Sequence, residues 1–498
     1  MESLTISEWL LTELKQHRFP AGMPAHRRVY ELIRRAIASQ HLTAGTRLPS
    51  TRSLSEALSL SRNTILAAFE QLHDEGYIVS RTGSGTCVAT TPPEGFIELD
   101  DAQSNAGMDA LHRSLGLSKR GMLAAGLADH PSHEVQPFAP GEDDFSTFPT
   151  QLWRRLLNKQ WRAPQPAHLD YGHAGGHLPL RRAIANYLRM SRAVNLTVEQ
   201  VLITAGTQQS IDLCARMLTD HGDRVWVENP CYWGARRLLE VNGLQLHPVT
   251  VDDEGMAPNN ADFRRPPRLI YTTPSHQYPK GVVMSYGRRR LLLDYAASQD
   301  SWILEDDYDS EFRFEGRPLS SLQGMDQNGR VLYLGTFSKV MYPGIKLGYL
   351  VVPPDLAESF KRGLYELQRP GQVVIQAALA EFIEEGHFAS HIRRLRQIYA
   401  ERRRLLQKAL APVTRVGARL PPAGSGLHLV VELPPHADDV RVADLAAEQG
   451  LRVYPLSSYG VGDKVEKGLI VGYAYAATER IAPYGRILAD VIQAALSY

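Results

Sequence analysis

The chain has 498 residues, of which 43% are hydrophobic and 22% charged, and its formal net charge is +1. This length predicts two or more domains, and the composition is that of packed globular cores, which excludes wholesale disorder. A net charge close to zero means that any binding of nucleic acid must come from a local basic surface.

The N-terminal part of the chain is predicted to form three helices. Between residues 24 and 40, apolar side chains recur at the helical spacing i, i+3, i+4, i+7 and i+8. They are Val29, Leu32, Ile33, Ala36 and Ile37. Ser50 and Ser61 each stand directly before a further helical pattern, where a serine side chain can cap the helix. Gly76 follows the last pattern and is expected to stop that helix.

A β-hairpin is predicted after the third helix, because "YIVS" and "TCVA" flank the turn "RTGSG". Three helices and a hairpin are the elements of a winged helix-turn-helix, an α+β domain that binds DNA. The third helix begins with Arg62, Asn63 and Thr64, which would face base edges. Arg52 and Arg81 suit phosphates. The alternative is a small helical domain with solvated arginines.

Residues 48–88 favour the DNA-binding alternative, because they resemble the DNA-binding domain of the GntR regulators almost end to end. The shared features are the arginine after "LPST", the turn "SRNT" and the wing "GSGT". The resemblance implies operator DNA as a partner. It also brings Ser61 and Gly83 into the set of candidate DNA-binding residues.

Residues 91–134 are predicted to be a linker between domains. Prolines and acidic residues open this stretch, "LADHPSHEVQP" closes it, and "DALHRSLGLSKRGMLAAGL" between them is able to form a short helix. The predicted domains are therefore residues 1–90, with a core of 24–90, and residues 135–498.

Short β-branched runs alternate with helical segments from about residue 135 onward. The five predicted strands cover residues 224–228, 268–273, 301–306, 330–336 and 347–352. Such alternation predicts an α/β domain with a mostly parallel sheet. Ligands of such domains bind at the carboxyl ends of the strands.

An acidic cluster, "EDDYDSEF", and Lys339 each follow a predicted strand of this sheet. Solvated charge, an acid/base pair and a metal site are alternatives for the cluster, and a metal is disfavoured because no set of His or Cys ligands stands nearby. A carboxylate and a lysine that face one pocket would suit pyridoxal phosphate. The carboxylate keeps the pyridine nitrogen protonated, and the lysine forms the Schiff base.

Several motifs of the larger part resemble the type I aminotransferases, which are fold-type I pyridoxal phosphate enzymes. They are "LDYGHAGGHLPLRRAIANYL", "TAGTQQSIDL", "ENPCYWGAR", "TPSHQYPKG", "EDDYDSEF" and "TFSK…PG…LGYLV". Joined to a GntR-like head, they resemble the MocR/GabR-type transcriptional regulators over residues 24–90 and 135–490. The resemblance implies a winged helix-turn-helix followed by a fold-type I aminotransferase-like α/β domain.

The resemblance also implies roles for residues around pyridoxal phosphate. Lys339 would form the Schiff base, and Asp306 would pair with the pyridine nitrogen, with Asp307 as the alternative. Tyr308 would bind the phenolate oxygen of the cofactor. Tyr232 would stack on the ring, with a core aromatic as the alternative. The further candidates for the phenolate oxygen and the phosphate are His276, Gln277, Gly206, Thr207, Gln208, Thr336, Ser338 and, from a second subunit, Tyr171.

Two positions depart from the pattern of the family. Lys346 stands seven residues after Lys339, where the family commonly has an arginine on the phosphate, and a lysine lacks the bidentate fork of arginine. The strand expected within 468–476, "GLIVGYAYA", has no arginine that could clamp a substrate carboxylate. This absence disfavours efficient transamination. The effector would then be pyridoxal phosphate itself or an amine without an α-carboxylate, unless Arg236, Arg237 or Arg452 reaches an acidic group.

Three functions are compatible with these features. The favoured one is a transcriptional regulator in which pyridoxal phosphate, or an amino-compound aldimine of it, bound at Lys339 controls operator binding at genes of vitamin B6 or amino-compound metabolism. The second is an active aminotransferase with an appended DNA-binding domain. The third, a DNA-binding protein with a vestigial, cofactor-free domain, is disfavoured by Lys339, Asp306 and Tyr308 together.

The assembly and location are expected to be those of an intracellular regulator. We expect a homodimer, either domain-swapped or head-to-tail, because fold-type I sites are generally completed across a subunit interface. Three cysteines without CxxC spacing favour a reducing compartment. No stretch approaches the roughly 18 apolar residues of a membrane span, and the start of the chain is not a signal peptide. The sequence therefore predicts a cytoplasmic protein with no membrane partner.

Overall fold

The computed structural model describes residues 6–17, 19–20, 22–39, 41–81, 85–90, 116–125, 136–162, 166, 170–316, 320–369, 371–422, 424–462 and 465–497. The chain divides into two compact units, Met1–Gly116 and Leu117–Tyr498. Most of the predicted linker, residues 91–115 and 126–134, lies outside the described residues. Within the described ranges, no helix is both long and apolar enough to cross a membrane.

The first unit contains the predicted helices and hairpin. Its described elements are α1 (Ile6–Gln16), α2 (Ala25–Ala38), α3 (Thr51–Leu58), α4 (Arg62–Asp74), β1 (Ile78–Arg81) and β2 (Gly85–Val88). The winged helix-turn-helix is thus confirmed, and α1 is a helix that the sequence analysis did not predict. Leu10, Ile33, Leu54 and Ile65, one from each helix, are buried in a single core.

Serine caps set where the two helices of the helix-turn-helix begin. The side chain of Ser50 accepts a hydrogen bond of 3.2 Å from the backbone N–H of Ser53, and that of Ser61 accepts one of 3.2 Å from Thr64. Both predicted caps are therefore confirmed. Each cap satisfies an N–H group that the first helical turn would otherwise leave without a partner.

The second unit is an α/β structure. Its strands are β3 (Val201–Thr204), β4 (Arg224–Asn229), β5 (Gln245–Asp252), β6 (Gly255–Met256), β7 (Leu269–Thr272), β8 (Trp302–Asp307), β9 (Val331–Thr336), β10 (Gly348–Val351), β11 (His428–Glu432), β12 (Tyr454–Pro455) and β13 (Gly468–Gly472). Its α-helices, among the described residues, are α5 (Lys119–Ala125), α6 (Thr150–Arg162), α7 (Leu178–Arg192), α8 (Thr207–Leu218), α9 (Trp233–Val241), α10 (Asn260–Phe263), α11 (Tyr286–Ser298), α12 (Leu322–Met325), α13 (Ala357–Gln368), α14 (Val373–Glu384), α15 (His387–Leu410), α16 (Asp439–Glu448) and α17 (Thr478–Leu496).

The large sheet has the strand order β3-β10-β9-β8-β7-β4-β5-β6. Strands β9, β8, β7, β4 and β5 pair in parallel, whereas β10 is antiparallel to both of its neighbours. All five predicted strands are present and the mostly parallel sheet is confirmed. Because β10 reverses direction between β9 and β3, the carboxyl end of β3 lies at the same edge as those of the parallel strands.

Side chains alternate across this sheet, which places a packed helix layer on each face. Val227 and Leu304 join the apolar cluster that contains α8 and α9, whereas Trp226 and Ile303 join the cluster that contains α11. Successive residues of a strand point to opposite faces, so runs that are buried on both faces read as continuously apolar. A second, antiparallel sheet has the order β11-β13-β12.

Candidate functional site

The predicted site residues follow strand ends at one edge of the large sheet. Gly206, Tyr232, His276, Tyr308 and Lys339 stand shortly after β3, β4, β7, β8 and β9, respectively. Neighbouring strand ends of a parallel sheet form a crevice in which ligands gather. The fold therefore brings residues that are distant in sequence to one edge.

Asp306 is a buried carboxylate with one committed oxygen and one available oxygen. The hydroxyl of Tyr271 donates a 2.7 Å hydrogen bond to Oδ2. Oδ1 is buried and has no hydrogen-bond partner within the described part of the chain. Burial, together with the nearby carboxylates Asp307, Glu228 and Asp309, raises the pKa of Asp306 to about 7.

The adjacent Asp307 is committed to structural contacts. Its Oδ2 accepts hydrogen bonds from Arg192 at 2.8 Å, from Ser310 at 2.9 Å and from the hydroxyl of Tyr333. Asp309 lies instead 2.9 Å from Nδ1 of His276. Oδ1 of Asp307, like that of Asp306, has no hydrogen-bond partner among the described residues, but the charge of Asp307 is already paired with Arg192. Asp306, whose charged neighbours are the anions Asp307, Glu228 and Asp309, therefore fits a protonated cofactor nitrogen better than Asp307 does. Among the residues that the structure describes, no group of His, Cys, Asp and Glu could hold a metal ion.

Tyr232 lies close to Asp306 and to Gln208 at the start of α8. Burial raises the pKa of Tyr232 to about 12, with a further increase from the charge of Asp306, and a hydrogen bond with the side chain of Gln208 opposes the increase. The side chains of Asp306 and Gln208 therefore both lie near that of Tyr232. The ring of Tyr232 is half-buried, so both predicted alternatives, a stacking residue and a core aromatic, stay open.

His276 and Tyr308 form a second polar group of the site. Nδ1 of His276 lies 2.9 Å from the hydroxyl of Tyr308 and 2.9 Å from Oδ2 of Asp309. Gln277 is used differently: its Nε2 donates to the carbonyl of Pro230 at 2.9 Å, and its Oε1 accepts from the N–H of Lys280 at 3.0 Å. The predicted contact of Gln277 with the cofactor stays a prediction, because both ends of its amide already have partners.

The turn before α8 offers backbone N–H groups to an anion. Gly206 has a φ of 111°, and a Cβ added to it would meet nothing within 4 Å, so the turn requires glycine for its backbone angle and is open on that side. Thr207 and Gln208 begin the helix, whose N-terminus favours a phosphate. Thr336, the last residue of β9, and Ser338 lie at the same edge, and the hydroxyl of Thr336 accepts a 3.1 Å hydrogen bond from the N–H of Ser338.

Gly348 of β10 packs against the turn that contains Gly206. The replacement of Gly348 by alanine is expected to disturb this turn. A Cβ on Gly348 would lie 2.8 Å from Cα of Gly206 and 2.8 Å from the carbonyl oxygen of Gly335, both of which are backbone atoms. We expect Gly348→Ala to lower the free energy of unfolding by about 1–3 kcal/mol and to weaken binding of pyridoxal phosphate. Chemical unfolding and cofactor titration measure both effects. Gly371→Ala is the matched control, because its Cβ would meet nothing within 4 Å; an equal loss in both variants would contradict the prediction.

Lys339 projects from a closed loop after β9. The N–H of Phe337 donates a 3.1 Å hydrogen bond to the carbonyl of Leu347, which closes the loop that carries both Lys339 and Lys346. Nζ of Lys339 donates to the carbonyl of Gly141 at 2.5 Å and lies 3.8 Å from Oδ2 of Asp143. Lys339 is partly exposed, whereas Lys346 is exposed and has a left-handed backbone with φ of 49°.

Gly141 and Asp143 are site residues that the sequence analysis missed. They belong to "PGEDDF", a second acidic motif that precedes α6. Burial raises the pKa of Asp143 to about 6, and the nearby Lys339 ammonium opposes the increase. The acidic motif itself was the available signal, but nothing local in the sequence connects it with Lys339.

β13 and three arginines were considered above as sources of a clamp for a substrate carboxylate. All five residues of β13 are buried and none is charged. Arg236 donates to the carbonyl of Gly460 and lies near Glu240, to which Arg237 is also paired. The guanidinium of Arg452 lies 5.8 Å from the ring centre of Tyr454.

Tyr171 lies on the surface of the second unit. Tyr171 is 55% exposed, and the guanidinium of Arg369 lies 5.1 Å from the centre of the Tyr171 ring. The ring of Tyr171 is therefore accessible, and a residue that contacts the site of a second subunit has to be accessible. Its predicted contact with the phosphate stays a prediction.

The start of α4 presents the candidate DNA-reading residues. Ser61, Arg62 and Asn63 are exposed, and Thr64 is half-buried beneath the cap. Arg52 on α3 is exposed, 3.4 Å from Glu56. Gly83 and the side chain of Arg81 lie outside the described residues. The described residues therefore offer Arg62 and Asn63 to a DNA groove from a helix N-terminus.

Comparison with known proteins identifies both units. Residues 141–473 match the family described as "Aminotransferase class I and II", and residues 25–88 match "Bacterial regulatory proteins, gntR family". The chain is 40% identical over 459 residues to the "Probable rhizopine catabolism regulatory protein MocR" of Rhizobium meliloti, and the aligned region covers 91% of each chain. It is 33% identical over 460 residues to the "HTH-type pyridoxine biosynthesis transcriptional regulator PdxR" of Corynebacterium glutamicum, which covers 91% of this chain and 92% of that regulator.

Solved aminotransferases share the fold of the second unit. The kynurenine aminotransferase of Pyrococcus horikoshii, in complex with PMP, is 26% identical with a TM-score of 0.68 over 80% of this chain and 98% of that enzyme. The multiple substrate aminotransferase of Thermococcus profundus is 26% identical with a TM-score of 0.70 over 78% of this chain and 99% of that enzyme. The aminotransferase class I and II fold implies pyridoxal phosphate, and the GntR domain implies DNA.

Proposed function

Because this chain belongs to the MocR-type subfamily of GntR transcriptional regulators, we propose that pyridoxal phosphate attached at Lys339 controls its binding to operator DNA. The relatives are named for the control of rhizopine catabolism and of pyridoxine biosynthesis. We accordingly assign its target genes to vitamin B6 supply or to the metabolism of amino compounds.

The observation that carries this proposal is the position of Asp306 and Lys339 at the carboxyl ends of the neighbouring strands β8 and β9. Bound pyridoxal phosphate supplies an aldehyde that bonds to amines and a ring that accepts electrons. Oδ1 of Asp306, buried and without a partner within the described ranges, fits the protonated ring nitrogen, while Tyr271 holds the other oxygen at 2.7 Å. The amine of Lys339 is the attachment point.

The remaining residues would orient the cofactor. Gly206, Thr207 and Gln208 at the start of α8 would hold the phosphate, with Thr336, Ser338 and the charge of Lys346 as further partners. His276 and Tyr308, whose polar atoms lie 2.9 Å apart, would bind the phenolate oxygen. Exposed Tyr171 would serve the site of a second copy in a homodimer, which would also present two helix-turn-helix units to repeated half-sites.

A working aminotransferase is the second candidate function. The fold and the set of Lys339, Asp306 and Tyr308 favour it, whereas the uncharged strand β13 lacks a clamp for a substrate carboxylate. Turnover with a panel of amino acids discriminates the two: fast turnover would favour the enzyme.

Binding to DNA from upstream of its own gene tests the regulator. We expect pyridoxal phosphate to change the affinity of the full-length protein for this DNA by about fivefold or more, because allosteric coupling energies are typically 1–3 kcal/mol. A gel shift with and without the cofactor measures the change. Equal affinity in both conditions at every such site would count against control by the cofactor.

Arg62→Ala tests the DNA-reading helix within the same assay. We expect it to lower operator affinity about 10- to 100-fold, since a bidentate contact with a base contributes about 1–3 kcal/mol, and to leave cofactor absorbance unchanged. Arg35→Ala is the matched control, because it removes an exposed arginine from α2, outside the helix-turn-helix. Operator affinity that is equal in the wild type and in Arg62→Ala would show that α4 has been assigned the wrong role.

A further inference from the structure

Asp143 is a buried carboxylate whose oxygens receive no hydrogen bond from the described residues. The residue is 4% exposed, and neither of its oxygens has a hydrogen-bond partner in the described ranges of the chain. Burying an ionised carboxylate without hydrogen bonds is costly. The position therefore favours a ligand that donates to it.

The charges around Asp143 are unevenly distributed. Lys339 is the cation that acts on it, and Glu142 and Asp309 act on it as anions. In the proposed function, on which this inference rests, an effector amine that bonds to the cofactor releases the amine of Lys339, which can then donate to the carbonyl of Gly141, as it does at 2.5 Å in the structure. Both oxygens of Asp143 still lack a hydrogen bond from any described residue in that arrangement, so a hydrogen-bond donor for Asp143 falls to the ligand.

Among the described residues, β13 carries no positive charge that would hold a carboxylate, and the guanidinium of Arg402 is already bound to Asp144 and to the carbonyl of Ala474. The segment that carries Asp143 runs along the end of β13, where the carbonyl of Phe138 accepts a 2.9 Å hydrogen bond from the N–H of Gly472. Ile470 in the middle of β13 is fully buried in a cluster with Tyr459. His428 on β11 is neutral, because burial lowers its pKa to about 3, and its Nε2–H donates to a backbone carbonyl.

We propose that Asp143 binds the effector and that the effector is a primary amine whose second polar group donates hydrogen bonds, as an ammonium or a hydroxyl does, and is not a carboxylate. An ammonium would pair with Asp143, and a hydroxyl would donate to it. A carboxylate at the same place would meet a like charge, with no guanidinium from β13 to compensate it.

Three amines with the same length of chain test this assignment: trimethylenediamine, propanolamine and β-alanine. Each is titrated into the full-length protein loaded with pyridoxal phosphate, and the change in visible absorbance gives Kd after subtraction of the spectrum of the free cofactor with the same amine. We expect the diamine to bind about 10- to 100-fold more tightly than β-alanine, the range of one charge-assisted hydrogen bond, with propanolamine between them. Asp143→Asn should bring the three Kd values to within about threefold of one another.

Glu142→Gln is the matched control, because it removes one negative charge from the adjacent, less buried residue and should keep the preference. The assignment is overturned if the wild type binds β-alanine as tightly as the diamine. It is also overturned if Asp143→Asn weakens all three amines equally, as the loss of a residue that only positions Lys339 would do. If that variant does not fold, the order of affinities in the wild type decides. A wild type that develops no visible absorbance with the cofactor contradicts the proposed function itself, whereas absorbance without preference contradicts only the role of Asp143.

Discussion

Lys339→Ala is expected to abolish the covalent attachment of pyridoxal phosphate and with it the response of operator binding to the cofactor. Lys339 is the amine at the end of β9, and its Nζ is held by the carbonyl of Gly141 at 2.5 Å, beside Asp143. Alanine has no amine that could bond to the aldehyde. The wild type loaded with cofactor should keep a visible absorbance band after dialysis, and the variant should lose it completely.

Lys346→Ala distinguishes the two lysines of the loop after β9. Lys346 is exposed and is proposed to supply charge to the phosphate, so its removal should weaken cofactor binding about tenfold and keep the absorbance band. Lys339→Arg is the second control, since it keeps a cation near Asp143 and still cannot form the bond. A visible band that survives dialysis in Lys339→Ala would show that another lysine is the attachment point.

The sequence predicts the order of elements and the strand ends because these depend on local patterns. Apolar runs identify β4, β7, β8, β9 and β10, and serines before helical patterns locate the caps of α3 and α4. Since parallel strand ends share an edge, the same patterns also indicate that the residues after these strands lie near one another.

The partners of the site residues depend on register and on distant contacts, which local patterns do not contain. Tyr271 reaches Asp306 because β7 and β8 pair with Tyr271 opposite Leu304, and Asp143 reaches Lys339 from a segment before α6. The resemblance likewise implied Gln277 beside His276 as a cofactor ligand, and the sequence could not indicate that its amide also contacts Pro230 and Lys280.

Asp306→Asn is expected to weaken binding of pyridoxal phosphate about 100-fold and, at the same time, to stabilise the cofactor-free protein. The weaker binding follows from the loss of a charge-assisted hydrogen bond to the ring nitrogen, which contributes about 1.5–3 kcal/mol. The gain in stability follows from the burial of Asp306 beside the anions Asp307, Glu228 and Asp309, which act on its charge. Asparagine keeps the shape of the side chain and removes the buried charge.

The gain in stability of Asp306→Asn over the wild type should increase as pH rises. Burial raises the pKa of Asp306 to about 7 from its ordinary 3.8, so between these values the folded protein keeps a proton that the unfolded chain has lost. Stability of the cofactor-free wild type must then fall as pH rises through this window. At pH 8 the cost is on the order of 4 kcal/mol. Asp143, Glu228, Glu305 and Glu311 also have raised pKa values. The difference between the variant and the wild type, measured by chemical unfolding from pH 4 to 8, therefore reports Asp306 together with its effect on the neighbouring Glu228.

Asp307→Asn is the matched control, because the neighbouring carboxylate should behave in the opposite way. Asp307 pairs with the buried Arg192 at 2.8 Å, and breaking a buried ion pair costs about 3–5 kcal/mol. We therefore expect adjacent aspartates to give opposite signs: a more stable cofactor-free protein for Asp306→Asn and a less stable one for Asp307→Asn. If both variants were destabilised equally at pH 8, Asp306 would be a structural acid like its neighbour, and its available oxygen would not be kept for the cofactor.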